Sequence, residues 1–290
     1  MLDKIFGKVI AWAKTEDAIR AAIIEGSRAR RDAHGDQSVV DRFSDYDLNL
    51  YVTDMAKLTA SDEWIKQIWP VWAMEKLYDP DDIISRLVLF EGGYDIDFKL
   101  VPISNLYACV EQQILPEEYH RGYTVVLDKD GLAARLPPPD YKAVAKPKPT
   151  EEQFVYAVNV FWFELFHLVM YLHRGDLWQV KGRDSGIKNR LLQMIEWHAR
   201  ASHNWDYDTW MVGKNMRSWV APDLWQDFFE IYARFDVEDS WRAVCALMPL
   251  YRRLASETAR QLSYAYPYEM DQAISRFILK NSPVEKVVRG

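Results

Sequence analysis

Two aspartates, Asp45 and Asp47, have the residue type and the spacing of a metal site. They lie in DYDLNLYV, whose alternation of polar and apolar residues is typical of a strand. Residues i and i+2 of a strand point to the same side, so the two carboxylates project together. Their repulsion raises the pKa of one of them unless a cation lies between them, and Mg²⁺ prefers carboxylate oxygens. The alternative for this pair alone is an exposed strand end without a ligand.

A third carboxylate, Asp97, lies in ISRLVLFEGGYDIDFKLVP, residues 84–102. The Gly-Gly pair between two strand-like runs predicts a hairpin, and Asp97 begins an alternation in its second strand. If that strand pairs beside the strand of Asp45 and Asp47, the three carboxylates line one patch. Two-metal phosphoryl transfer requires such a patch.

A Gly-Ser pair, Gly26-Ser27, ends the apolar run IRAAIIE. The run predicts a buried strand, and glycine lets the backbone approach a ligand closely. The backbone N–H groups and the serine hydroxyl of such a turn can hold phosphate oxygens. Gly-Ser turns are common, so this pair indicates a phosphate site only together with the carboxylates.

The elements that must position these residues are strands with interspersed helices. Helical spacing predicts an opening helix within residues 1–17, a helix at SDEWIKQI with Ser61 as its N-cap, and another near ISNLYACVEQQ. YTVVLD predicts a further strand. This mixture indicates an α/β or α+β sheet domain over residues 1–135.

A helical domain is expected to follow a linker. Residues 136–149, LPPPDYKAVAKPKP, are rich in proline and lysine and predict that linker. Thr150 follows as an N-cap, with Gln153 at the capping-box position. Helical patterns then dominate residues 150–290, which predicts an all-α bundle. They cover residues 150–174, 184–202, 222–235, 237–263 and 267–280.

Composition narrows the class of protein. The net charge of −7 argues against nucleic acid as a partner, because proteins that bind it carry a basic face. Cys109 and Cys245 lack metal-ligand spacing, so we expect two reduced thiols and no zinc site.

One apolar run, residues 154–172, is long enough to span a bilayer. Asn159, Glu164 and His167 would each be costly in hydrocarbon, so a buried helix of a bundle explains the run better. The N-terminus lacks the features of a signal peptide. We therefore expect no membrane partner and a cytoplasmic location.

The order of these motifs resembles the polymerase-β-type nucleotidyltransferases, and the chain resembles the aminoglycoside 6-adenylyltransferases, which transfer AMP from ATP to streptomycin. The similar stretches run from about residue 5 to residue 280 and are IIEGSRA, DYDLNLYV, DIDFKLVP, NVFWFE, LLQMIEW, VGKN and YAYP. The resemblance implies an α+β protein, with an N-terminal nucleotidyltransferase-fold mixed sheet and a C-terminal helical bundle. It also implies that ATP and acceptor meet between the two domains.

The resemblance implies a role for each residue of the constellation. Asp45, Asp47 and Asp97 would hold two Mg²⁺ ions, and Asp97 would act either as a metal ligand or as the general base. An acceptor hydroxyl would attack the α-phosphorus of ATP, and pyrophosphate would leave. Phosphate contacts are expected from Gly26, Ser27, Arg28 and Lys214, whereas we interpret Arg183 and Lys188 as a solvated basic face.

The acceptor is expected to be a cation, which needs carboxylates around it. Glu91, Asp95 and Glu164 are the candidates, although Glu164 and His167 could equally form a core pair. Glu25 replaces a frequent Asn of the family, and Asp95 a common basic residue, which leaves the acceptor open. Another aminoglycoside, a lincosamide or a protein hydroxyl is the alternative acceptor, and a nucleotide-binding regulator without turnover is the alternative class. A nucleic-acid polymerase fits the acidic charge poorly.

Overall fold

The computed structural model describes residues 4–30, 40–78, 82–143 and 145–283. The chain divides into two compact units, Met1–Val144 and Ala145–Gly290. The polar stretch after Gly26-Ser27 has no apolar period, which predicts a surface loop, and its residues 31–39 lie outside the described residues.

The first unit is built on a six-stranded mixed sheet in the order β3-β4-β5-β2-β1-β6. Its strands are β1 (Ile19–Glu25), β2 (Tyr46–Val52), β3 (Val71–Tyr78), β4 (Ile84–Phe90), β5 (Tyr94–Pro102) and β6 (Thr124–Asp128). Strands β2 and β5 pair in parallel, and the other neighbours pair antiparallel. The helices are α1 (Lys4–Thr15), α2 (Met55–Thr59), α3 (Glu63–Ile68) and α4 (Ile103–Gln112).

The two faces of the sheet differ in what covers them. One face carries apolar residues of β1, β2 and β5 into a continuous core with α1 and α3. On the other face, the core formed with α4 includes Ile23, Tyr51 and Val101. Because side chains alternate along a strand, Glu25, Asp47 and Asp97 lie on this second face, beyond the end of its apolar core. The second face is therefore apolar at one end and acidic at the other.

Most sequence-predicted elements of this unit are confirmed, and the exceptions have local causes. The helix predicted at residues 61–68 begins at Glu63, with Asp62 and not Ser61 at the N-cap position. The Ser61 hydroxyl still accepts a hydrogen bond from the backbone N–H of Glu63, at 3.2 Å. The edge strand β3 was not predicted, because nearly all its side chains are exposed and no apolar alternation marks it.

The second unit is helical. Its helices are α5 (Glu151–His173), α6 (Leu177–Ala201), α7 (Met216–Trp219), α8 (Pro222–Ile231), α9 (Val237–Leu262) and α10 (Tyr268–Asn281). The capping box of Thr150 and Gln153 at the start of α5 is confirmed. Helix α6 begins at Leu177 and not near residue 184, as the sequence predicted. Val180 and Ile187 anchor its first turns in the core, but the polar, glycine-containing stretch between them hides the helical period in the sequence.

Helix α5 is long and apolar enough to cross a membrane by length and composition alone. In the structure 39% of its apolar window is buried within the protein. Eight of its residues belong to the core that the helices of this unit share, and they are Phe154, Val158, Phe161, Trp162, Leu165, Leu168, Val169 and Leu172. The helix is thus a core element of this unit.

Candidate functional site

The pairing of β2 with β5 brings the three carboxylates together. Asp47 lies directly opposite Asp97 in the parallel register, and Asp45 immediately precedes β2. Each of the three half-buried side chains offers an oxygen, and these oxygens lie within 4.8 Å of one another. The juxtaposition expected from the sequence is confirmed by this register.

The pKa of Asp97 is strongly perturbed within this carboxylate cluster. Burial raises its pKa to about 7, and the charges of Asp95, Asp47 and Asp45 add to the rise. Burial and the charge of Asp45 also raise the pKa of Asp95. Since like charges at this distance disfavour the ionised form, a bound cation would relieve the repulsion. The donor set, three carboxylates on one patch, fits a divalent ion with hard oxygen ligands.

Gly26 closes the cluster on its β1 side. Its φ of +67° favours glycine, and a Cβ atom at this position would lie 1.7 Å from Asp47 Oδ2. The backbone of the turn therefore touches the carboxylate, which no larger residue would allow. The Oγ atom of the next residue, Ser27, is buried and has no hydrogen-bond partner in the described part of the chain. Such an unsatisfied hydroxyl is suited to a ligand oxygen.

Arg28 completes this turn by holding the chain that leads to Asp45. Its Nε donates to the carbonyl of Asp45 at 2.8 Å, and its Nη2 donates to the carbonyl of Ser44 at 2.7 Å. The guanidinium lies 3.7 Å from the ring centre of Tyr46. These contacts give Arg28 a positioning role that sequence reasoning missed.

Sequence reasoning also missed an ion pair beside the carboxylates. Lys99 Nζ lies 2.5 Å from Glu25 Oε1, and the Glu25 side chain is almost fully buried. Lys99 follows Asp97 by two residues on the same strand face, and Glu25 directly precedes Gly26. The period of two in the strands was the signal that could have located both residues.

The expected acceptor carboxylates fall in different places. Glu91 is exposed in the hairpin turn between β4 and β5, and Asp95 lies opposite Leu89 at the same end of the sheet. Glu164 belongs to the helical unit, where its carboxylate lies 3.7 Å from Arg190. His167 instead contacts the carbonyl of Phe163 at 3.0 Å, so Glu164 and His167 do not form the core pair that was one alternative.

The other basic residues considered from the sequence, Lys214, Lys188 and Arg183, lie in the helical unit. Lys214 is exposed in the turn before α7. Lys188 does not belong to a solvated face, contrary to expectation, because its side chain is 9% exposed and pairs with Asp184 at 2.7 Å. Arg183 is also half-buried, with its guanidinium 5.0 Å from the ring centre of Tyr171. Burial along α6 explains both differences.

Comparison with known proteins agrees with this geometry. The family model described as streptomycin adenylyltransferase matches residues 2–281. An aminoglycoside 6-adenylyltransferase of Campylobacter jejuni is 27% identical, over 96% of this chain and 94% of the relative. That of Bacillus subtilis (strain 168) is 24% identical, over 92% of each chain.

A solved structure also covers the chain. The crystal structure of an aminoglycoside 6-adenyltransferase from Bacillus subtilis aligns with 96% of this chain and 97% of its own, at 20% identity and a TM-score of 0.46. The family assignment depends on the sequence match, whose range, residues 2–281, extends over both units. The chain therefore belongs to the streptomycin adenylyltransferase family and is a nucleotidyltransferase.

Proposed function

We propose that this protein transfers AMP from ATP to a hydroxyl group of an aminoglycoside, with streptomycin as the first acceptor to test. The convergence of Asp45, Asp47 and Asp97 beside the Gly26-Ser27 turn carries the proposal. The acceptor class comes from the names of the relatives, which are aminoglycoside 6-adenylyltransferases. The reaction is expected in the cytoplasm, where ATP is available, and would give resistance to the antibiotic.

The carboxylate cluster would hold Mg²⁺, and two ions are expected. Bound there, Mg²⁺ would neutralise phosphate charge and lower the pKa of the acceptor hydroxyl. Asp45 and Asp47 are expected as ligands on the nucleotide side, because Asp47 lies against Gly26 and the carbonyl of Asp45 accepts a hydrogen bond from Arg28 of the same turn. Asp97 is the third ligand or the proton acceptor.

The residues of the site have separate tasks in the transfer. The backbone at Gly26 and the hydroxyl of Ser27 would hold the phosphates of ATP. Asp97, whose pKa is already raised to about 7 by burial and neighbouring carboxylates, is suited to accept the proton of the attacking hydroxyl. The acceptor oxygen bonds the α-phosphorus, and the bond from that phosphorus to the leaving pyrophosphate breaks.

Other residues are proposed to complete the substrate sites. Lys214 would neutralise part of the triphosphate, because its side chain is exposed. Glu91, Asp95 and Glu164 would bind cationic groups of the acceptor. Of these, Asp95 shares a strand with Asp97 and is the first to test. We also propose residues 136–149 as the linker between a catalytic domain, 1–135, and a helical domain, 150–290, that completes the substrate sites.

The proposal is tested by incubating the protein with ATP, Mg²⁺ and separate acceptors. Streptomycin, other aminoglycosides, a lincosamide and a protein extract form the panel. We expect pyrophosphate release with streptomycin and a gain in its mass of one adenylyl group. Release with a different acceptor would correct the substrate. Nucleotide binding without release for any acceptor would refute the transferase and favour a regulator.

A further inference from the structure

The Glu25–Lys99 ion pair crosses the central strand directly beside the carboxylates. Glu25 lies opposite Asp47, and Lys99 lies opposite Asn49, two residues beyond Asp97. Strands β1 and β5 both pair with β2 and not with each other. The Lys99 side chain therefore spans β2, a gap of about 10 Å between the outer strands, to reach Glu25. The ion pair separates the carboxylate cluster from the apolar end of this sheet face.

This ion pair is costly to the fold. The side chain of Glu25 is only 4% exposed, and burial raises its pKa to about 7 although the Lys99 ammonium touches it. Its second oxygen, Oε2, is buried without a hydrogen-bond partner among the described residues. An ion pair whose carboxylate is buried and keeps an unsatisfied oxygen is expected to stabilise a protein less than apolar side chains of similar size do. Stability alone therefore does not explain why the pair is present.

Further unsatisfied atoms surround the ion pair. In the described ranges, four buried side-chain atoms lack a hydrogen-bond partner, and they are Glu25 Oε2, Ser27 Oγ, Asn49 Nδ2 and Arg183 Nε. The first three belong to the end of β1, to the turn that follows it and to the β2 position opposite Lys99. Buried polar atoms in a native protein are normally satisfied, so this concentration marks a site completed by a ligand.

The ion pair also connects two parts of the site that are far apart in sequence. Glu25 is the residue before Gly26, so its position sets where the turn begins. Lys99 shares a strand face with Asp97. A contact between Glu25 and Lys99 fixes the distance from the turn to the third carboxylate.

We propose that Glu25 and Lys99 are positioning residues, which hold the Gly26-Ser27 turn in register with Asp97 so that the nucleotide phosphates and the third carboxylate meet. This inference depends on the proposed nucleotidyl transfer. Neither side chain needs to touch the nucleotide, because each acts through its neighbour in the chain.

The test uses the double variant Glu25→Gln/Lys99→Met in the full-length protein. It removes one negative and one positive charge, so the net charge beside the carboxylates does not change. We expect the affinity for a non-hydrolysable ATP analogue with Mg²⁺, measured by calorimetry, to fall about tenfold or more, and kcat to fall at least as much, because misplacement by about 1 Å can cost 10²-fold. We expect the melting temperature to stay equal or to rise, since costly buried charges are gone.

The matched control is Arg20→Met/Asp130→Asn. It removes another ion pair that begins on β1 and whose cation is about as exposed as Lys99, but its carboxylate, Asp130, is 40% exposed and lies in the turn after β6. Affinity and kcat should stay at the wild-type values in this control.

Two results would overturn the proposal. One is a lower melting temperature with wild-type affinity and kcat, which is the behaviour of a purely structural ion pair. The other is no change in any measurement. If the double variant does not fold, the single variant Glu25→Gln is judged by the same affinity and kcat criteria. If no acceptor is adenylylated but the wild type binds the nucleotide, the proposed function fails while the affinity measurement still decides on the ion pair.

Discussion

Each unit of the chain holds an acidic residue that is withdrawn from solvent, fully buried in the helical unit and half-buried in the sheet unit, and their surroundings differ. In the helical unit, Asp271 is fully buried, and Arg252 donates to both of its oxygens at 2.6 Å. The hydroxyls of Tyr266 and Ser275 also donate to it, at 2.8 and 2.9 Å. In the sheet unit, the carboxylate of Asp97 has no hydrogen bond or ion pair within residues 4–30, 40–78 and 82–143, and three other carboxylates raise its pKa.

The difference distinguishes a buried charge that serves the fold from one that serves a ligand. A native protein satisfies its buried polar atoms when only stability is at stake, as it does around Asp271. At the carboxylate cluster the protein tolerates repulsion and unsatisfied atoms, which a bound cation and the phosphates of the proposed substrate would relieve. Polar groups that lack hydrogen-bond or charge partners within the protein therefore indicate a binding site.

The largest expected effect is on catalysis by the carboxylate cluster. Asp97→Asn removes the carboxylate that is proposed as metal ligand or proton acceptor but preserves the shape of the side chain. We expect pyrophosphate release, measured at saturating ATP and Mg²⁺, to fall about 10³-fold or more. The matched control is Asp130→Asn, an exposed aspartate of the same unit, which should keep the wild-type rate. Adenylylation by Asp97→Asn at a near wild-type rate would refute the mechanism.

The next largest effect tests the satisfied network. Arg252→Met leaves the fully buried Asp271 without its cation, and we expect a loss of about 3 kcal/mol in the free energy of unfolding, measured in urea. The double variant Arg252→Met/Asp271→Leu should recover part of that loss, since the uncompensated charge is gone. If the single variant is as stable as wild type, the network does not serve the fold and the contrast with the carboxylate cluster fails.

The sequence predicted features that depend on residues close together in the chain, and it missed contacts between distant segments. The common face of Asp45 and Asp47 followed from the strand period, and the hairpin that carries Asp97 followed from its Gly-Gly turn. The edge strand β3 could not be predicted, because a strand with both faces exposed shows no apolar period. Helix α6 was predicted too short for a related reason, since polar residues interrupt its period.

In the site, the features that could not be predicted from the sequence were mainly contacts between segments far apart in the chain. The Glu25–Lys99 ion pair joins residues 74 positions apart and depends on the order of three strands, which no local pattern gives. Arg28 was expected at phosphates as a basic residue after Gly-Ser, but it donates to the carbonyls of Ser44 and Asp45, 16 and 17 positions along the chain, and only the fold brings them beside it. Residue type and period thus indicated the chemistry, whereas the positioning contacts required the fold.

Substitution of two glycines by alanine separates the cost of a positive φ from the effect of displacing Asp47. Gly26 and Gly131 both have a φ of +67°, but only at Gly26 would a Cβ atom meet Asp47, whereas at Gly131 nothing lies within 4 Å. Both Gly26→Ala and Gly131→Ala should lose about 1 kcal/mol in the free energy of unfolding. Only Gly26→Ala should also lose activity, by about 10²-fold, because the carboxylate is displaced. Equal activity in the two variants would contradict a catalytic role for this close approach.

The smallest expected effect is a gain in stability from Asp97→Asn, the substitution for which we expect the largest loss of activity. The pKa of Asp97 rises from 3.8 to about 7 on folding, so between these values the folded protein holds a proton that the unfolded chain has lost. The wild type therefore loses stability as the pH rises from about 4 to about 7. Asn cannot titrate, so the Asp97→Asn protein does not lose this stability. In EDTA we therefore expect its advantage over wild type to grow between pH 4 and pH 7 and to reach about 1–2 kcal/mol above pH 7. This gain is smaller than the full pKa shift would give, because the Asp97 side chain is partly open to solvent. Asp271→Asn should instead be less stable at pH 7, because it breaks a satisfied network. Urea unfolding at pH 5 and pH 8 measures both, and an Asp97→Asn protein that gains nothing at pH 8 would mean that the carboxylate cluster carries no stored repulsion.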